Sequence, residues 1–238
     1  MSETHGSTDL HLDIGHLDIA SFREIATLKN LRTLIISRND VNITPECFEV
    51  ICSNFRKLRR LEVQHLDNLT NADGVKLNCL KELEYLYING EAEFTDLTSG
   101  GDVSLSALKT LVAVIADVIT GEGLVKYAAR HPRLENLFIF RSETLTDDAL
   151  ILILGREPHL RRLGLCSCPR ITDRSLEALR NLCPQLRWLG LEDCRGTTDR
   201  GLFPIRETRP SVLCSSEAHN FFDFLRCYHE RDDSGWPK

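Results

Sequence analysis

The sequence predicts an α/β solenoid in which short parallel strands form a concave face and helices form the convex face. The first observation is a Leu-x-x-Leu-x-Leu motif, whose last position is Leu, Ile, Val or Ala, that recurs along the chain every 25 to 27 residues. The second is that the closing Leu-x-Leu of each motif has the two-residue period of a strand. The third is that leucines at three-residue spacing follow it, as on the buried face of a helix. Since one such unit cannot bury its leucines alone, the units are expected to stack and share one continuous core.

The motif can be followed through seven units. The three most regular units begin at Leu134, Leu160 and Leu186, which are 26 residues apart. The four earlier units drift slightly from this spacing, and they begin at Leu31, Leu58, Leu83 and Leu108. A degenerate unit is expected before them, between residues 10 and 28.

Each regular unit also carries a signal for the start of its helix. In the unit that begins at Leu160, the dipeptide Thr172-Asp173 follows the strand. A threonine at this position caps free backbone N–H groups, and an aspartate favours the positive end of the helix dipole. Leucines of the expected inner helix face then follow at positions 176, 179 and 182. We therefore expect one strand and one helix in each unit.

Composition and charge argue against several classes of function. The chain of 238 residues is 42% apolar and 27% charged, as ordinary globular proteins are. It has no stretch that approaches the ~20 apolar residues of a membrane span. Its net charge of −6 disfavours nucleic-acid binding, which needs clustered lysines and arginines. The polar, acidic N-terminus does not resemble a secretory signal, so we expect a cytoplasmic or nuclear protein.

The residues that alternate with the core leucines of each strand are predicted to point to the concave face. We assign ten of them as candidate partner-binding residues: Arg60, Glu62, Tyr85, Tyr87, Val112, Phe138, Phe140, Arg162, Trp188 and Glu192. Five of these are aromatic, and large exposed apolar patches usually mark binding surfaces. The predicted function is therefore the binding of a protein on this face. Two alternatives stay open: the C-terminal tail covers the face, or the register of the strands differs.

The cysteines and histidines form no catalytic or metal-binding pattern. The nine cysteines are expected to be reduced thiols, because their number is odd and no secretion route is visible. Cys168 and Cys194 share a repeat column with Ser142, which favours core packing over a zinc site. The sequence has no phosphate loop, nucleophile elbow or HExxH motif. We therefore expect neither enzyme activity nor a bound metal or cofactor.

Two segments depart from the repeat. Residues 91–104 replace the ordinary helix of their unit with an acidic, Ser-Gly-Gly-containing stretch, which is typical of a loop. Such a loop either carries function or is simply a degenerate repeat. At the C-terminus, residues 217–231 form an amphipathic helix pattern whose apolar face holds Phe221, Phe224, Leu225 and Tyr228. We expect this helix to cap the last repeat, with a detachable partner helix as the alternative.

The chain is thus predicted to have three regions. An N-terminal segment with a partial repeat covers residues 1–30. About seven full repeats cover residues 31–210, and a C-terminal cap helix with a tail covers residues 211–238.

The complete motif, Leu-x-x-Leu-x-Leu-x-x-Cys-x-x-Ile-Thr-Asp-x-x-Leu, resembles the cysteine-containing leucine-rich repeat. Residues 160–185 and 186–202 match it most closely. This subtype is similar to the repeats of F-box/LRR proteins, the substrate receptors of SCF-type ubiquitin ligases.

The resemblance implies a protein substrate on the concave face, and an SCF adaptor and cullin held through an F-box. We identify no F-box before the repeats. Either this chain is part of a longer protein, whose adaptor-binding segment is not present here, or it belongs to relatives without an F-box, so a scaffold or regulatory subunit without a ligase link stays an alternative.

Overall fold

The computed structural model describes residues 8–12, 18–36, 43–64, 66, 68–90, 105–115, 125–126, 133–209 and 213–215. These residues form one parallel sheet whose nine strands follow one another in chain order. The strands are β1 (Asp9–Leu12), β2 (Thr33–Ile36), β3 (Arg60–Val63), β4 (Tyr85–Gly90), β5 (Thr110–Ile115), β6 (Asn136–Phe140), β7 (Arg162–Cys166), β8 (Trp188–Glu192) and β9 (Leu213–Ser215). This sheet, with helices between its strands, confirms the predicted α/β solenoid.

Within the described ranges, helices lie between the strands from β1 to β4 and from β6 to β9. They are α1 (Ile19–Ile25), α2 (Pro45–Asn54), α3 (Asn71–Gly74), α4 (Asp147–Leu154), α5 (Asp173–Leu182) and α6 (Asp199–Thr208), and a short 3-10 helix (Val75–Cys79) follows α3. None of the helices in the described ranges is long and apolar enough to span a membrane. The two segments that depart from the repeat, 91–104 and 217–231, lie outside the described residues.

The register of the sheet stacks equivalent repeat positions on one another. Leu137 pairs with Leu163, and Leu163 pairs with Leu189. These leucines are buried in one core that runs through the described units. Leu176 and Leu179 of α5 join the same core, so the helices cover the leucine side of the sheet. The strand residues between the leucines therefore point to the opposite, concave side.

The Thr-Asp dipeptides connect neighbouring repeats, beyond the capping role that the sequence predicts. The Asp147 carboxylate accepts hydrogen bonds from the Thr172 backbone N–H (2.9 Å) and hydroxyl (2.6 Å), 25 residues further on. The next unit repeats the arrangement, since Asp173 accepts from the Thr198 N–H (2.7 Å) and hydroxyl (2.6 Å). Asp147 also accepts a hydrogen bond from the Ser175 hydroxyl. Each aspartate therefore holds the start of the next helix.

These hydrogen bonds also set the charge of Asp147. Burial raises the pKa of this carboxyl, but the hydrogen bonds from Ser175 and Thr172 outweigh it and leave the pKa below its usual value. Asp147 is therefore ionised near neutral pH. A carboxyl with a lowered pKa stabilises the fold above its unfolded-state pKa, and this contribution is lost as the pH falls through the folded-state pKa.

The substitution Asp147→Ala is expected to lower the free energy of unfolding by about 2 kcal/mol, because three hydrogen bonds to a charged acceptor are lost. Asp148→Ala is the matched control, since Asp148 is exposed and forms a surface ion pair with Arg174, which contributes less than about 1 kcal/mol. Urea denaturation at pH 7 measures both values. Equal values for the two variants would contradict the assigned role of Asp147.

Candidate interaction surface

The ten candidate residues come from strands β3 to β8, and the pairing of the strands brings them together on the concave face. Arg60 pairs with Tyr85, and Glu62 pairs with Tyr87. Tyr87 pairs with Val112, and the row continues to Phe138. Phe140, Arg162, Trp188 and Glu192 lie on the neighbouring strands to the C-terminal side.

The predicted exposure of the apolar candidates is wrong. Six of them are at most 6% exposed: Tyr85, Tyr87, Val112, Phe138, Phe140 and Trp188. With Val114 and Cys166 they form a second buried cluster, separate from the leucine core, which we call the concave cluster. The side chains point away from the leucines, but they do not reach solvent. Their role in partner binding stays a prediction.

Aromatic packing across a glycine forms the centre of the concave cluster. The rings of Phe138 on β6 and Trp188 on β8 lie 5.8 Å apart and are tilted by 46°. The strand between them, β7, carries Gly164 next to Phe138. Since Gly164 has no side chain, the two rings meet above β7. Tilted ring pairs at this distance are favourable.

Charged residues flank the concave cluster on its N-terminal side. The side chains of Arg60 and Glu62 are 16% and 19% exposed, and their charged groups form an ion pair. The Arg60 Nε donates a hydrogen bond to Glu62 Oε1 at 2.7 Å. The Arg60 guanidinium also lies over the Tyr85 ring, 4.4 Å from its centroid, which is a cation–π contact.

Charged residues also flank the cluster on its C-terminal side. Arg162 and Glu192 are both partly exposed, and Glu192 accepts a hydrogen bond from the Cys166 thiol at 3.5 Å. The concave face thus has an apolar centre with partly exposed charged groups on both sides.

Burial keeps the titratable groups of the cluster neutral. Burial, with a smaller effect of the Glu62 charge, raises the pKa of Tyr87 to about 12. Burial likewise raises the pKa of the Cys166 thiol to about 12, although the hydrogen bond with Ser167 acts in the opposite direction. Because a nucleophilic cysteine must be a thiolate, Cys166 is a packing residue here. The described residues also contain no group of three His, Cys, Asp or Glu side chains arranged to hold a metal ion.

The strands of the last units end in a backbone conformation that the sequence analysis did not identify. Arg141, Ser167 and Asp193 follow β6, β7 and β8 and have φ angles of 56°, 52° and 46°. They occupy one repeat column, and the left-handed conformation turns the chain from the strand toward the helix side. In the sequence, these three positions are recognisable only as polar residues spaced 26 apart. None of them is the glycine that usually marks this conformation.

Glu157 is a buried acid that the sequence analysis also missed. It is 0% exposed, and its carboxyl oxygens have no hydrogen-bond partner among the described residues. Burial raises the pKa of Glu157 to about 8, although the nearby Leu134 backbone N–H partly offsets this effect. The same repeat position is apolar in five other units, which have Leu28, Phe55, Leu80, Leu105 and Cys183.

The substitution Glu157→Leu is expected to raise the free energy of unfolding at pH 8 by a few kcal/mol, because a buried carboxyl is replaced by the usual residue of its column. In the natural protein, a raised folded-state pKa makes stability fall as the pH rises from the unfolded-state value of about 4.3 to about 8. Glu157→Gln is the control: it removes the pH dependence and keeps an unpaired polar group. An unchanged pH profile of unfolding in both variants would contradict this account.

Solved structures with the same architecture identify the class of the fold. A chain in the crystal structure of the yeast Rad7 and Elc1 complex superimposes with a TM-score of 0.64 and 20% identity. That match covers 80% of this chain and 50% of the other, so this chain spans about half the length of its counterpart. The leucine-rich repeat-containing protein LegL7 from Legionella pneumophila has a TM-score of 0.54 and 11% identity, over 94% of this chain and 81% of LegL7.

These comparisons show that the fold is an α/β leucine-rich-repeat solenoid. No protein-family model matches the sequence, and no curated protein matches it.

Proposed function

We propose that this protein is a recognition module that binds a protein substrate or partner on its concave face. The observation that carries the proposal is the set of partly exposed charged residues on both sides of the concave cluster, Arg60, Glu62, Arg162 and Glu192. These charged residues are the accessible part of the face, and the cluster between them is buried. An apolar, aromatic centre with a polar rim is the usual arrangement of a protein interface. The leucine core does not need these side chains, since they belong to a separate cluster.

The accessible part of this surface lies on its N-terminal strands. Thr33 and Ile35 of β2, and Arg60 and Glu62 of β3, are partly exposed on the concave side. A partner is therefore proposed to contact β1 to β3 first, where Arg60 offers a guanidinium already oriented by Glu62 and Tyr85. Arginine is one of the residue types that contribute most to interface affinity.

The finer proposal is that the module selects substrates for an SCF-type ubiquitin ligase. Its support is the cysteine-containing repeat, together with the structural similarity to a chain from a two-protein complex, Rad7 with Elc1. In this role the protein holds a substrate while a recruited enzyme modifies it, and the chain itself performs no chemistry and needs no cofactor. The alternative is a scaffold or regulatory subunit with no ligase link. Either role is proposed for the cytoplasm or the nucleus.

The substitution Arg60→Glu is expected to lower partner capture about tenfold, the effect of losing one strong interface contact. The experiment is a tagged pull-down from cells, with mass spectrometry of the captured proteins. Arg174→Glu on α5 is the matched control, because it makes the same charge change on the convex side. Thermal unfolding of both variants checks that the fold is kept, and equal capture by the two folded variants would contradict binding on the concave face.

The ligase role is tested by the same pull-down while cullin ligases are inhibited. Substrate selection is supported if an SCF adaptor and a cullin co-purify with the natural protein, and if other captured proteins are lost from the pull-down with the Arg60→Glu variant. One stoichiometric partner without the adaptor and the cullin supports the scaffold role instead.

A further inference from the structure

The loops before strands β2 and β3 carry a cluster of exposed cations. Residues 26–32 connect α1 to β2, and residues 55–59 connect α2 to β3. In a chain of net charge −6, these two loops contain five cations and no aspartate or glutamate. All five residues are exposed: Lys29, Arg32, Arg56, Lys57 and Arg59. We call these five residues the basic edge.

Strand pairing brings the two halves of the basic edge together. Arg32 and Arg59 lie at equivalent positions, one residue before β2 and β3. The Arg32 carbonyl accepts a hydrogen bond from the Arg59 backbone N–H at 2.7 Å. Since neighbouring strands lie about 4.8 Å apart, the two loops are side by side along one edge of the sheet.

The two lysines of the basic edge are held by neutral acceptors. The Lys29 Nζ donates a hydrogen bond to Asn54 Oδ1 at 2.9 Å, and Asn54 is the last residue of α2. In the opposite direction, the Lys57 Nζ donates to Asn30 Oδ1 at 2.9 Å. An ammonium group has three N–H donors, so each lysine keeps donors for a ligand. Neither amide cancels the positive charge.

Carboxylates offset only one of the five cations by direct pairing. The Arg59 guanidinium lies 3.8 Å from a carboxyl oxygen of Glu82 and 3.9 Å from one of Glu84. Among the described residues, the other four cations have no carboxylate within ion-pair distance. The basic edge therefore keeps an unpaired positive charge.

The surrounding structure stabilises this charge only in part. The C-terminal ends of α1 and α2 favour nearby cations. Asp9 on β1 contributes little, because its pKa is lowered chiefly by the hydrogen bond with Thr33 and least by Arg32. Like charges at this spacing repel one another, so the basic edge attracts an anionic ligand.

We propose that the basic edge binds an acidic, extended segment of a protein partner. Carboxylates of such a segment pair with the lysine ammonium groups and form bidentate pairs with the arginines. The edge adjoins the accessible part of the concave face, since Arg32 precedes Thr33 and Arg59 precedes Arg60. The proposal rests on the recognition role and deepens it, because a partner on β1 to β3 contacts both surfaces.

A protein segment fits this edge better than a nucleic acid does. Proteins that bind single strands stack the bases on aromatic side chains. The one aromatic residue of the two loops is Phe55, which is 0% exposed. The excess of acidic residues in the whole chain repels a long polyanion, whereas a short acidic segment contacts only the edge.

Fluorescence anisotropy of a fluorescein-labelled octaglutamate peptide with the full-length chain tests the proposal. The double substitution Lys29→Glu and Lys57→Glu is expected to weaken binding by about tenfold or more, because it places like charges opposite the peptide. Arg200→Glu with Arg206→Glu is the matched control, since it makes the same charge change at exposed residues of α6. Equal losses in the two double variants, or no binding to the natural chain, would overturn the proposal.

A neutral variant keeps the test decisive if the charge reversal unfolds the chain. In Lys29→Gln with Lys57→Gln, the charge is removed while a hydrogen-bond donor stays. Thermal unfolding identifies the folded variants. Weaker binding of octaglutamate is expected in this variant as well, and unchanged binding would refute the role of the two lysines.

An oligothymidylate of the same length separates a protein segment from a nucleic acid. It is expected to bind about tenfold more weakly than octaglutamate, because the edge offers no ring for base stacking. Equal or tighter binding of the oligothymidylate would contradict the assignment to an acidic protein segment.

The recognition role fails or holds separately, because partner capture tests it. If octaglutamate does not bind but capture depends on Arg60, only the acidic-segment proposal fails. If octaglutamate binds but neither Arg60→Glu nor the double substitution of Lys29 and Lys57 by glutamate changes capture, the recognition role fails.

Discussion

The burial of leucines between neighbouring repeats is the interaction on which the rest of this structure depends. Leu137, Leu163 and Leu189 stack in register and are almost fully buried, and each such side chain contributes about 1.5–3 kcal/mol. Each repeat is in contact mainly with the repeats before and after it. A unit therefore has a complete core only when both neighbours are in place. The hydrogen bonds that Asp147 and Asp173 accept from the next repeat add a second connection, on the helix side of the sheet.

This constraint leaves the concave side of the sheet free to vary. The strand period fixes the leucines on one side, and the residues between them are not needed for the core. Those positions hold glycine at 164 and 190 and large aromatic side chains on β4, β6 and β8. A second apolar cluster has formed there, and its members belong to five successive strands. The same sheet thus supports a leucine layer that follows the repeat and an aromatic cluster that does not.

The parts of the structure that follow the repeat could be predicted from the sequence. The 26-residue spacing gave the strands at 162 and 188 and the helix starts at 173 and 199, because periodic leucines permit only one pairing of the strands. The side on which Tyr87 and Phe138 lie followed from the same alternation. Their burial did not, because strand alternation places a side chain on one face of the sheet but does not determine how closely that face is packed.

Two further features could not be predicted from the repeat pattern. The role of Asp147 in holding the next repeat was missed because a Thr-Asp dipeptide is fully explained by capping of its own helix. Glu157 was missed because it lies in a stretch between the helix and the strand where charged residues are common. Its burial becomes visible only when the position is compared with Leu80 and Cys183 in the folded structure.

The hydrogen bonds between Thr-Asp dipeptides have a consequence for how such a chain changes its length. Removal of residues 160–185 would bring Thr198 to the place that Thr172 now takes beside Asp147, and would leave every leucine with an equivalent neighbour. A deletion that is not a whole number of repeats would separate these partners. Gains and losses of sequence in this region are therefore tolerated in whole units, so that gene duplication can alter the span of the concave face while the contacts within each unit stay the same.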